Sequence, residues 1–232
     1  MRKTVAIILL TFISFCSFAQ NGDGFNPFTD EDLSILMQDS TVKEVSTYKP
    51  VGMLGIRGSY QLNGLRAQPD IGAKGINTYK NISLVYTYYN SLWNMMPNFG
   101  LQVAAKYGEW GFNSKYLESE HVSYAELSML SHFHFDFSRF RFLIGVGPYA
   151  GYRINTLKEN DSWDQYDNRF DYGIIGGAGF AVIFGRFELQ LEGDYQFSLS
   201  SIYHMNKYSD EYWVIATPSN ILVNLTLFYH LF

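Results

Sequence analysis

From Val51 onward, polar and apolar residues alternate with a period of two, and the contrast is strongest over residues 186–199. There Arg186, Glu188, Gln190, Glu192, Asp194 and Gln196 fall on one face, while Phe187, Leu189, Leu191, Tyr195, Phe197 and Leu199 fall on the other. Successive side chains of a strand point to opposite sides, so this segment reads as a strand with one charged and one greasy face. A soluble sandwich hides such an apolar face against a second sheet, whereas a membrane barrel turns it towards lipid and keeps the charges inside. The alternation by itself permits both.

Residues 139–153 repeat the pattern, with Arg139, Arg141, Gly145, Gly147, Tyr149, Gly151 and Arg153 opposite Phe140, Phe142, Ile144, Val146, Pro148, Ala150 and Tyr152. In residues 170–184, Phe170, Tyr172, Ile174, Phe180, Val182 and Phe184 alternate with Asp171, Gly173, Gly177 and Gly179. Inward glycines would leave room for long neighbours. Weaker alternation covers residues 51–60, 79–89, 99–112, 122–135 and 220–232, which gives about eight strands. Joins near 136–138 and 184–186 are tight, while 155–168 and 200–219 are long and polar. Short turns alternating with long loops are the habit of an outer-membrane barrel, whose short turns and chain ends face the periplasm. The expected fold is all-β: a closed antiparallel transmembrane β-barrel of about eight strands, an up-and-down meander over residues 51–232.

Composition supports that choice. Aromatic residues make up 18% of the chain, with 18 Tyr and 19 Phe, yet the mean hydropathy is -0.09. That is too polar for a bundle of membrane helices and suits a wall with one apolar face. Trp93, Trp110, Trp163 and Trp213 fall at expected strand ends or in loops, where aromatic residues meet a membrane interface.

Residues 1–19 read as a cleaved secretory signal peptide: Arg2 and Lys3, an apolar run from Val5 to Phe15, then Ser17 and Ala19. The run is shorter than the ~20 residues of a retained helix. Cys16, the only cysteine, lies within it behind Phe15, where lipoprotein cleavage needs a small residue, so the mature chain is expected to carry no thiol and no lipid. Loss of Arg2 and Lys3 takes the balance from 17 basic against 22 acidic residues to 15 against 22, a net -7, which argues against nucleic acid as a partner. Residues 20–50 read as a periplasmic segment with a short helix starting at Thr29, capped by that residue and carrying Asp30, Glu31 and Asp32 in its first turn.

The inward faces would gather Arg57, Lys106, Arg139, Arg141, Arg153 and Arg186 with Glu126, Asp136, Asp171, Glu188, Glu192 and Asp194. Charges away from water must be paired, and an eight-stranded barrel is only wide enough for side chains to fill. A structural ionic plug is therefore favoured over a conduit. His132 and His134 share a face and could chelate zinc or copper, but no third ligand is spaced to join them. Barrel enzymes acting on membrane lipid need an assembled Ser or Asp with a His; here His121, His204, Ser119, Ser123, Ser200, Ser201 and Asp210 are loose loop residues. Glu159, Asp161, Asp164 and Asp167 read as a solvated acidic loop rather than a calcium site. The loops over 61–78, 109–121, 155–168 and 200–219 are the natural recognition surfaces.

Five pieces then carry a family resemblance, in order: GIRGSYQLNGL from Gly55, YAELSMLSHFHF from Tyr124, GVGPYAGY from Gly145, FDYGIIGGAGF from Phe170, and a closing LFYHLF ending at Phe232. Over roughly three quarters of its length the chain resembles the PorT-like outer-membrane β-barrel family of the Bacteroidetes. The resemblance implies an outer-membrane barrel with no cofactor, and its namesake is an accessory of type 9 secretion and gliding. One departure is that Ile221, Val223, Leu225, Leu227 and Tyr229 form the apolar face of the last strand, which puts Phe232 on the other parity, with His230 where an aromatic is usual.

The functional expectation is a non-enzymatic envelope protein of a Gram-negative cell, structural or partner-binding, touching outer-membrane lipid and envelope or secretion-system proteins. The alternatives are a porin-like narrow channel for small solutes and, third, a lipid-modifying enzyme.

Overall fold

Alternating side chains on eight long strands need a surface that separates inside from outside, and the chain supplies one by closing on itself. In a computed structural model, residues 50–90, 98–116, 119–157, 163–204, 207 and 214–231 are described. The expected leader, the N-terminal segment with its expected helix, Trp93, Glu159, Asp161, Asp210, Trp213 and Phe232 lie outside these residues. The elements are β1 (Val51–Gln68), β2 (Lys74–Gly75), β3 (Thr78–Tyr89), β4 (Phe99–Asn113), β5 (Glu120–Phe137), β6 (Phe140–Thr156), β7 (Phe170–Phe184), β8 (Phe187–Ser198) and β9 (Ile215–His230).

Every long strand pairs antiparallel with its neighbour in sequence, and β9 returns to β1 in a continuous ladder from Met53↔His230 to Gln68↔Ile215. The result is an eight-stranded closed meander, with β2 adding a two-residue pair to the end of β4. Two-residue turns, Ser138–Arg139 and Gly185–Arg186, close one end, each with positive φ at its first position (58° and 67°). That is the primed geometry which matches the twist of the flanking strands. The link from β3 to β4 lies at this same end, while the connections from β1 to β3, β4 to β5, β6 to β7 and β8 to β9 lie at the other.

Parity then sorts the residues. Arg57, Glu188, Gln190 and Asp194 face inward and are at most 5% exposed, while Ile56, Leu84, Ile144, Ile174 and Leu225 face outward and are about half exposed or more. Tyr60, Tyr79, Tyr107, Tyr152, Tyr172 and Tyr195 ring this apolar band towards the long-loop end; Phe137, Phe140, Phe184, Phe187 and Tyr229 ring it towards the short turns. Of the four tryptophans expected at a girdle, the two among the described residues sit elsewhere. Trp110 is buried inside, donating to Asn220 at 3.1 Å, and Trp163 packs beside a buried apolar cluster.

Both mouths are filled. Met53, Val85, Tyr89, Leu143 and Phe228 pack across the short-turn end. At the long-loop end Ile71, Ile202, Tyr203 and Val214 fold in over Trp110, Phe112 and Tyr124. Ile202 N donates to Ala216 O at 2.8 Å and Ser114 Oγ to Ile71 O at 2.9 Å, which tie these inturned segments to the wall. Strands of 12 to 18 residues exceed the ~9–11 that a tilted spanning strand needs, so the long-loop end stands beyond the apolar band. Accordingly β1 continues to Gln68 and β9 begins at Ile215, where the sequence suggests loops.

Candidate functional site

Inward parity on six strands places the charged residues in a column along the barrel axis. Nearest the short turns, Arg141 of β6 reaches Asp136 with two bonds (Nε–Oδ1 2.7 Å, Nη2–Oδ2 3.1 Å) and donates Nη1 to Glu188 Oε2 at 2.9 Å. His230 Nε2 lies 3.2 Å from the same Glu188 oxygen, and the guanidinium sits 4.5 Å from the centre of the Tyr89 ring. A planar fork saturated by two carboxylates and an aromatic face is well held, and the same geometry leaves it no donor edge turned to solvent.

Midway, Arg57 donates Nη2 to Glu192 Oε2 at 2.5 Å and to Gln102 Oε1 at 2.9 Å, and Nε to Thr226 Oγ1 at 2.8 Å. Asn224 donates to Asp194 at 2.6 Å. Glycine makes this layer fit: a Cβ on Gly179 would stand 2.7 Å from Glu192 Cγ, and one on Gly145 2.6 Å from His132 Cδ2. Above it, Lys106 pairs with Glu126 at 2.9 Å and lies 5.1 Å from the centre of the Tyr124 ring, while Gln196 donates to the other Glu126 oxygen at 2.7 Å.

Below the cap, Asp171 accepts from Ser198, from Ser200 at 2.6 Å and from Tyr149 at 3.3 Å. Arg153 donates to the Asn168 carbonyl and stacks on Trp110 at 5.3 Å. The space left among Trp110, Tyr124, Glu126, Arg153, Asp171 and Asn220 is about 20 Å³, enough for about one water.

Of the twelve charged residues expected inside, Arg57, Lys106, Glu126, Asp136, Arg141, Arg153, Asp171, Glu188, Glu192 and Asp194 take part in this column, but Arg139 and Arg186 do not. Both sit exposed in the two-residue turns, where Arg186 donates to Tyr229 Oη at 3.4 Å. The alternation carries one step past the strand ends in sequence, whereas the chain reverses there. The neutral partners Gln102, Gln196, Asn224 and Thr226 complete the network; inward parity marks them, but charge does not.

His132 and His134 share the inner face yet address different groups. His132 Nε2 is 3.9 Å from Glu192, while the His134 ring lies 4.5 Å from Tyr89, centre to centre, with its Nε2 3.8 Å from Asp136. Among the described residues no three His, Cys, Asp or Glu side chains group to hold a metal. The serines and histidines weighed for hydrolysis are also divided: His121 stands 3.4 Å from Glu109, Ser119 accepts from Ser114 N, and Ser200 engages Asp171. Asp167 pairs with Lys207 and bonds to the Asp164 amide at 2.9 Å.

No protein-family model matches the chain, and no curated protein matches it. Among solved structures, the chain is similar to Neisserial surface protein A (TM-score 0.46, 10% identity, covering 78% of this chain and 96% of that one). It is also similar to the N-terminal β-barrel domain of Pseudomonas aeruginosa OprF (0.40, 14%, 78% and 99%). A third similar structure is Ail, the attachment invasion locus protein of Yersinia pestis, in complex with the heparin analogue sucrose octasulfate (0.40, 13%, 78% and 97%).

Proposed function

We propose that this chain is a non-enzymatic barrel of a Gram-negative outer membrane, with a structural or partner-binding role in the envelope. The observation that carries the reading is the inversion of burial: three ion pairs inside the wall, Arg57–Glu192, Lys106–Glu126 and Arg141–Glu188, and a continuous apolar band with aromatic rims outside it. Water would reject that outer surface, and lipid solvates it. Envelope fractionation followed by gels of boiled and unboiled samples tests this. An outer-membrane band that shifts on boiling is expected; a soluble periplasmic protein without a shift would end the reading.

The filled mouths and paired interior favour a plug over a narrow channel. Planar-bilayer recordings are expected to show no conductance in the wild type or in Glu188→Ala, and discrete openings in the wild type would reverse that preference. The narrower role beside type 9 secretion or gliding rests on the sequence resemblance alone. Its test is whether deleting residues 20–50 abolishes co-purification of an envelope partner.

A further inference from the structure

Outside the barrel, where β7 begins and β8 ends, lies a groove of about 570 Å³. Its lining divides by chemistry along the barrel axis. Tyr152, Phe170, Tyr172 and Leu199 form the part nearer the apolar band, each about half exposed, while Asn168, Arg169, Ser200 and Ser201 form the part beyond the strand ends. The frame is fixed by two backbone bonds, Leu199 N to Tyr172 O at 2.8 Å and Asn168 N to Ile202 O at 2.9 Å, and by the Asn168 side chain, whose Nδ2 donates to Ser201 O at 2.9 Å.

Arg169 is the cation of this groove, and it lies on the outer surface. Its guanidinium is 4.8 Å from the centre of the outward-facing Tyr152 ring and 5.0 Å from that of Trp163. Nε donates to Arg153 O at 3.2 Å and Nη2 to Ile154 O at 2.9 Å. Two carbonyls and two aromatic faces hold the group still without neutralising it, and Nη1 remains uncommitted among the described residues. Asp167 also lines the groove, and its carboxylate is paired with Lys207. A pre-ordered guanidinium in one groove with the Ser201 hydroxyl and an aromatic and aliphatic slot matches an anion joined to hydrocarbon.

We infer that this groove binds the phosphate-bearing headgroup of an outer-leaflet lipid, with Arg169 on the phosphate and Phe170, Tyr172 and Leu199 against the upper acyl chain. The inference rests on the outer-membrane reading above, because only a membrane presents both halves of that ligand at this height.

The test is native mass spectrometry of the full chain released from detergent with diphosphoryl lipid A, or with the same lipid after removal of its phosphates. The wild type is expected to retain the phosphorylated form about tenfold better, the weight of one charge-assisted hydrogen bond. Arg169→Gln should bring the two lipids to parity. So should Leu199→Glu, which sets a carboxylate in the groove and leaves the Arg169 clamps intact, while Arg139→Gln at the opposite end keeps the preference. Parity in the wild type, or an undiminished preference in both groove variants, overturns the inference. Displacement of the lipid by millimolar inorganic phosphate would overturn it too, as a free-anion site. Each sample is also scored for the boiling shift: a wild type without the shift indicts the barrel reading, and a shifting wild type without preference indicts the groove alone.

Discussion

The Arg57 guanidinium and the Glu192 carboxylate meet at 2.5 Å in the middle of the barrel, from β1 and β8, strands that have only β9 between them. The contact therefore staples the seam where the last strand joins the first. Removing one partner strands a charge that has no water to turn to.

Glu192→Ala should lower unfolding stability by about 3–5 kcal/mol, and Arg57→Met with Glu192→Leu should recover most of that loss. Urea titration of the protein in lipid vesicles, followed by tryptophan fluorescence, measures both. A double variant as unstable as the single one would shift the weight to Arg57's bonds with Gln102 and Thr226.

Depth in the bilayer sets the second expectation. Leu225 lies on the outward face of β9 inside the apolar band, whereas Tyr79 stands at the long-loop rim of β3. Leu225→Arg should be destabilising by about 2–4 kcal/mol and Tyr79→Arg by no more than about 1 kcal/mol. Equal effects at the two sites would remove the bilayer from the account.

The tight turns offer a third. Ser138 holds a left-handed φ of 58° that a side chain disfavours, and Gly185 holds 67° without penalty. Ser138→Gly should stabilise by about 0.5–1 kcal/mol and Gly185→Ala destabilise by about 1 kcal/mol or more, read as opposite shifts of the urea midpoint. Shifts of the same sign would mean that the two turns do not share a geometry.

How far the sequence could be read depended on what surrounds each segment. Within the apolar band lipid and lumen are chemically opposite, so β8 shows its inner face plainly as Glu188, Gln190, Glu192 and Asp194. Beyond the band that contrast fades. Leu65 and Ala67 of β1 pack against the apolar cap while Arg66 beside them is exposed, which inverts the expected sign, and the segment resembles a loop although its ladder runs on to Gln68. Trp110 is hidden for the same reason, since an indole suits a girdle by composition but here serves the inner wall. Arg169 carries no periodic signal at all; it gains meaning only when the chain's return brings Tyr152 and residues 199–201 alongside it.

The β1–β9 ladder also governs how the protein comes into being. Until Ile215–His230 arrives, β1 is an open edge with sixteen residue positions waiting to be paired. A chain in that state invites pairing with any other strand it meets. Only when β9 pairs with both β8 and β1 does the wall lose its last free edge.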